Sequence, residues 1–206
     1  VIGLLGAAAL VAPAWGTTWR HGETPDHLGT ALAALRQQQP EPRGGPPRRL
    51  PDRLAVLLVD FADRPHAPDV TPDTLQARFF GGTASVATFF ASSSYGRFHL
   101  DGTVTPWMRL PESLEFYAAA RGGVGNTYPR NAQRMVEDAV RAADAFVDFS
   151  RFDNDGPDGI PSSGDDDGYV DGVMVVHAGA GAEFGDPDAI LSHSLYTSAP
   201  VATDDG

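Results

Sequence analysis

The 206 residues carry a net charge of −12, a hydrophobic fraction of 42% and no cysteine. That allows one sizeable core and excludes disulfides, thiolate metal sites and a cysteine nucleophile. All fifteen basic residues are arginine and none follows Arg151, whereas twelve of the 27 carboxylates do, so the later part of the chain is excluded as a surface for nucleic acid or anionic membrane and suits a metal ion or a basic partner.

In chain order, residues 1–16 (VIGLLGAAALVAPAWG) read as the remnant of a signal peptide, apolar and ending in small residues, too short to span a bilayer. The other reading is a frayed apolar helix packed on the domain. Residues 17–51 are polar around one helical pattern, DHLGTALAALRQQQ, with Asp26 as cap and Leu28, Leu32 and Leu35 at helical spacing. The proline- and glycine-rich PEPRGGPPRRLP follows. This region is a pro-segment with a linker or an unstructured leader, and the sequence does not divide the two. A globular part spans 52–206. It opens on the apolar run Leu54 to Phe61, a strand covered on both faces. Thr71-Pro72 starts a helix that stops at Gly81-Gly82, and Ser85 caps a second helix that ends at Gly96. Phe98 to Leu110 reads as a hairpin turning at Asp101-Gly102, with Pro106 placing its second arm at a sheet edge or ending it. Leu114 to Asn126 reads as a loop with a short helix. Asn131 to Phe146 is the clearest helix, with Ala132, Met135, Val136, Ala139, Val140, Ala143 and Phe146 on one stripe. A strand, Val170 to Val176, comes last. The order predicts an α/β or α+β domain with a mixed sheet.

The densest chemistry is the loop FDNDGPDGIPSSGDDDGYVD. Carboxylates about 6 Å apart repel by roughly 0.7 kcal/mol per pair even in water, so a loop this acidic asks for a cation. Asp153-Asn154-Asp155-Gly156-Pro157-Asp158-Gly159 resembles the calcium pattern D-x-D-x-D-G, with one extra residue at Pro157. Gly164 stands where an EF-hand has its glutamate, so this is no ordinary EF-hand. The candidate ligands are Asp153, Asp155 and Asp158, with Asp165, Asp167 and Asp171 closing the shell; the alternative is a solvated acidic turn. Of the six histidines, no two flank a glutamate at zinc-helix spacing, so the His-Glu-x-x-His motif is absent. His177, at a strand end, and His193, in a polar turn, read as cleft residues or as hydrogen-bonded structural ones. Ser192-His193-Ser194 lacks the setting of a nucleophile elbow, and Gly179-Ala180-Gly181 fails the dinucleotide spacing.

From Leu54 onward the sequence resembles the immune inhibitor A family of secreted bacterial metalloproteases. LAVLLVDFADRPH, SVATFFASSSYGRFHLDGTVTPWMRL, FDNDGPDG with DGYVDGVMVVHAGAGAE, and ILSHSL carry the resemblance, in family order. It implies the amino-terminal half of a zincin-like peptidase domain, secreted with a signal and a pro-segment. It also implies a catalytic zinc on a His-Glu-x-x-His helix that normally follows the serine-histidine turn and is not among these residues. The extra Pro157 and the insert Ile160 to Gly164 depart from the family loop. The expected parent is a zinc metalloendopeptidase acting on protein or peptide substrates. This chain alone is expected to be inactive and to hold calcium as a structural ion; no residue here is assigned a catalytic role. The competing expectation is a non-catalytic, calcium-dependent secreted binding module.

Overall fold

The computed structural model describes residues 8–13, 53–125, 128–153, 168–186 and 188–204. Among the described residues, a five-stranded mixed sheet forms the centre. Its strands are β1 (Ala8–Pro13), β2 (Arg53–Asp60), β3 (Asp101–Arg109), β4 (Gly172–His177) and β5 (His193–Leu195), in the order β3-β2-β4-β1-β5. β2 runs parallel to β3 and to β4, and β1 runs parallel to β4, while β5 is antiparallel to β1. Among the described residues, four α-helices accompany the sheet: α1 (Pro72–Phe80), α2 (Val86–Ser93), α3 (Leu114–Ala118) and α4 (Ala132–Ala143).

The unbroken apolar run of β2 follows from burial on both faces. Ala55, Leu57 and Val59 join Val173 and Val175 of β4 on one side, against Met135, Val136, Ala139 and Val140 of α4 and Tyr117 of α3. Val56 and Leu58 join Met174 and Val176 on the other, against Leu75 of α1 and, half-buried, Phe79 and Phe80. The result is three layers, helix on sheet on helix. Each fully buried leucine or valine of that run contributes about 1.5–3 kcal/mol.

The expected helix caps form. Thr71 accepts the Thr74 N–H at 3.2 Å, Ser85 that of Thr88 at 3.1 Å and Asn131 that of Arg134 at 3.1 Å, each satisfying a donor that the first turn leaves unpaired. Gly96, at φ 74°, closes the segment after α2.

Three expectations are corrected. Phe98 to Leu110 is no hairpin: Asp101-Gly102 opens a single strand parallel to β2. The glycine is there because a β-carbon would strike the Leu54 carbonyl oxygen and the Phe80 ring. Pro106 does stand on an edge strand, beside a register shift where Thr105 Oγ1 replaces a backbone acceptor for the Leu58 N–H at 2.9 Å. The long helix stops at Ala143, so Phe146 falls in the following turn and is 63% exposed instead of continuing the stripe. Finally, Ala8–Pro13 forms a strand between β4 and β5, which neither reading of residues 1–16 anticipated. The helical pattern at 26–39 lies outside the described residues.

Candidate functional site

Two groups of chemistry-bearing residues lie at opposite ends of β4. The first is the stem of the aspartate loop, at the strand's start. Asp171 donates its N–H to Phe152 O at 3.0 Å, and Asp153 accepts the Gly168 N–H on Oδ2 at 2.8 Å. Asp153 is buried. The two outermost candidate ligands are thus brought to one place by one backbone and one side-chain hydrogen bond between the loop's ends. Asp155, Asp158, Asp165 and Asp167 lie outside the described residues. Among the described residues, no group of three or more histidines or carboxylates is placed to hold a metal.

The second group gathers where parallel strands end, the edge at which open parallel sheets bind ligands. Asp60, Arg109 and His177 are the last residues of β2, β3 and β4. Gly172 to His177 is five strand steps, about 16 Å at ~3.3 Å per residue, which separates this group from the acidic stem. Asp60 is buried and accepts four donors. Arg109 gives Nε to Oδ1 at 2.5 Å and Nη2 to Oδ2 at 3.1 Å. His66 gives its Nδ1–H at 2.7 Å and its backbone N–H at 3.2 Å. Burial pushes the Asp60 carboxyl up, but the Arg109 and His66 bonds outweigh it and hold the group below its ordinary value. The His66 ring lies flat on Trp107, 4.6 Å between centroids, and the Trp107 indole N–H reaches Val70 O at 2.8 Å.

His177 is completely buried. Its Nδ1–H donates to Ala178 O at 3.0 Å, which leaves Nε2 as the bare acceptor, without a partner among the described residues. His193 is also buried and donates Nδ1–H to Leu191 O at 2.6 Å. Burial lowers the pKa of both histidines; the backbone bonds and the charge of Glu183 recover part of the fall. Glu183 binds the Ser192 N–H at 3.3 Å and hydroxyl at 2.8 Å, tying the turn after β4 to the start of β5. Both histidines therefore match the structural alternative offered by the sequence.

Sequence reasoning missed the carboxylates of α4. Glu137 and Asp138 are buried on a helix read only for its apolar stripe. Asp138 accepts from Tyr117 Oη at 2.9 Å, Arg134 Nε at 2.8 Å and Arg141 Nη1 at 3.0 Å. Glu137 accepts from the Tyr128 hydroxyl at 3.1 Å and the Ser198 hydroxyl at 2.5 Å. The signal lay in the arginines one turn before and after, at 134 and 141. Asp60 and its arginine were invisible because 49 positions separate them.

A profile of the family described as Immune inhibitor A peptidase M6, catalytic domain, matches residues 79–206. The chain belongs to this peptidase family. It is 30% identical over 172 residues to Immune inhibitor A of Bacillus thuringiensis subsp. alesti, an alignment covering 69% of this chain and 25% of that protein. It is 26% identical over 174 residues to the Pre-pro-metalloprotease PrtV of Vibrio cholerae serotype O1 (strain M66-2), covering 69% of this chain and 19% of that protein. The chain thus spans about a fifth to a quarter of the curated relatives it matches. Among the described residues, no helix is long and apolar enough to cross a membrane.

Proposed function

We propose that these residues are the amino-terminal part of the catalytic domain of a secreted, zinc-dependent metalloendopeptidase with a zincin-like fold. The observation that carries this reading is the peptidase-family match over residues 79–206, which covers three of the five strands and most of the helices. The residues present do not themselves fit a catalytic zinc. The sequence contains no His-Glu-x-x-His run, and among the described residues no triad of ligands converges. On this reading zinc and its motif belong to a part of the protein outside these 206 residues, and no catalytic step is assigned to this chain. Its own contribution is the sheet and the hydrogen-bonded strand ends that would support a site. Residues 17–51 are then a pro-segment, ahead of a peptidase part at 52–206.

Calcium is the second part of the proposal. The donor set is all carboxylate, which suits a hard cation, and the loop's two ends meet at Phe152–Asp171 and Asp153–Gly168. Asp153, Asp155, Asp158, Asp165, Asp167 and Asp171 are the residues that would hold the ion. Its role would be structural, because the stem lies at the end of β4 away from Asp60, Arg109 and His177.

The test is the coding sequence downstream of Gly206, followed by expression of the longer chain. A His-Glu-x-x-His run close by, with chelator-sensitive casein hydrolysis by the longer chain and none by the 206 residues alone, is the expected result. A stop codon, or chelator-sensitive proteolysis by the 206 residues themselves, would overturn the reading.

A further inference from the structure

Among the described residues, one side chain hydrogen-bonds to the outer edge of β3. Gln76, on α1, donates from Nε2 to Gly102 O at 3.2 Å and accepts the Val104 N–H on Oε1 at 2.9 Å. In a parallel ladder, a residue of the neighbouring strand donates its N–H to the carbonyl of residue i−1 and accepts the N–H of residue i+1. With i at Thr103, the Gln76 amide supplies both bonds. A planar side-chain amide has the same donor and acceptor as a backbone peptide, so it stands where a sixth strand would pair.

Other features along that edge also disfavour pairing. Pro106 has no N–H to offer. Trp107 turns its indole N–H to Val70 O, in the segment leading into α1. The Phe80 ring lies against Gly102, where it and the Leu54 carbonyl oxygen leave no room for a β-carbon. An edge strand of nine residues with bare backbone groups is a template for pairing with another chain. Here α1 supplies a counterfeit strand residue at the stretch of the edge, Gly102 to Val104, that precedes the proline.

We propose that Gln76 is an edge guard: its amide blocks addition of a second copy of this chain at β3. Two β3 edges related by a two-fold axis would pair antiparallel, the isologous arrangement favoured for homodimers. The net charge of −12 opposes such pairing, and less so at 0.15 M salt, where the Debye length is ~8 Å.

The experiment compares the full 206-residue chain with Gln76→Ala, Gln76→Glu and Gln76→Ala plus Thr103→Lys. Sedimentation velocity over a hundredfold concentration range gives self-association, and amide exchange gives protection at Val104. Gln76→Ala is expected to lose Val104 protection at low concentration, to associate at least tenfold more tightly than the unsubstituted chain, and to regain that protection on associating. Gln76→Glu keeps the acceptor for Val104 but lacks the donor for Gly102, so it falls between. Thr103 is exposed on the same strand, and a lysine there should return the double variant to the original sedimentation. A Gln76→Ala chain that sediments unchanged, or that keeps its Val104 protection when dilute, overturns the proposal. So does loss of cooperative melting in that variant, since Gln76 would then determine the fold instead of guarding an edge.

Discussion

His177 shows how one buried side chain couples stability to pH. In the folded chain its Nδ1–H is committed to Ala178 O and its Nε2 faces no donor among the described residues. Adding a proton at Nε2 would bury a second N–H, and a charge, with nothing to accept it. The folded pKa therefore lies below the ordinary 6.5, and that of His193 does too. As pH falls below about 6.5, the unfolded chain takes up protons that the folded chain refuses, so stability declines from there toward the folded values and is insensitive to these groups above it. Thermal melts between pH 7.5 and 5 should show this fall, and His177→Leu, which fills similar volume without titrating, should make it shallower. An unchanged slope in that variant would remove His177 from the account. Asp60 acts in the same direction but at lower pH. Its carboxyl is held below the ordinary value, so its contribution persists until the pH drops through the acid range.

Among the elements, β3 is where local signals and tertiary structure part. Asp101-Gly102 has the chemistry of a two-residue turn, and Asp101 does accept the Gly102 N–H, at 2.8 Å. Yet no second arm folds back. The chain has already crossed the sheet through α1 and α2, and β3 gains more by lying parallel against β2, whose other neighbour is β4. Gly102 is retained for space: the Leu54 backbone on one side and Phe80 on the other leave no room for a methyl group. Gly102→Ala should therefore cost about 1–3 kcal/mol, the usual range for overpacking, and lower the melting temperature by several degrees. A hairpin glycine would behave differently, since it would call for a positive φ; Gly102 is not among the residues with positive φ. A melting temperature within a degree of the unsubstituted chain would contradict the packing argument. α4 gives the complementary lesson. Its apolar stripe was readable from periodicity, but its buried Glu137 and Asp138 became intelligible only with Tyr117, Tyr128 and Ser198 in view.

For the whole molecule, the proposed calcium ion would join the end of the 3₁₀ turn at Phe149–Phe152 to the start of β4. At ~1 mM calcium and a dissociation constant of ~10 μM, binding would add about 2.7 kcal/mol to folding stability, or a rise of roughly 5–10 °C in melting temperature for a chain of this size. Calorimetry should register heat on adding calcium, and Asp155→Ala with Asp158→Ala should abolish both the heat and the thermal shift; survival of both would sink the loop assignment. The sequence by itself determined the helix starts, the two-sided burial of β2, the apolar face of α4 and the peptidase family, because each rests on neighbours within a few residues or on motifs in fixed order. It did not reach the strand at Ala8–Pro13, the parallel course of β3, the four-donor cage around Asp60 or the amide of Gln76 on β3. Those were decided by tertiary structure alone. Apart from His66, six positions from Asp60, each joins residues 26 to 186 positions apart, and only the stacking of helices on both faces of the sheet brings such partners within hydrogen-bond reach.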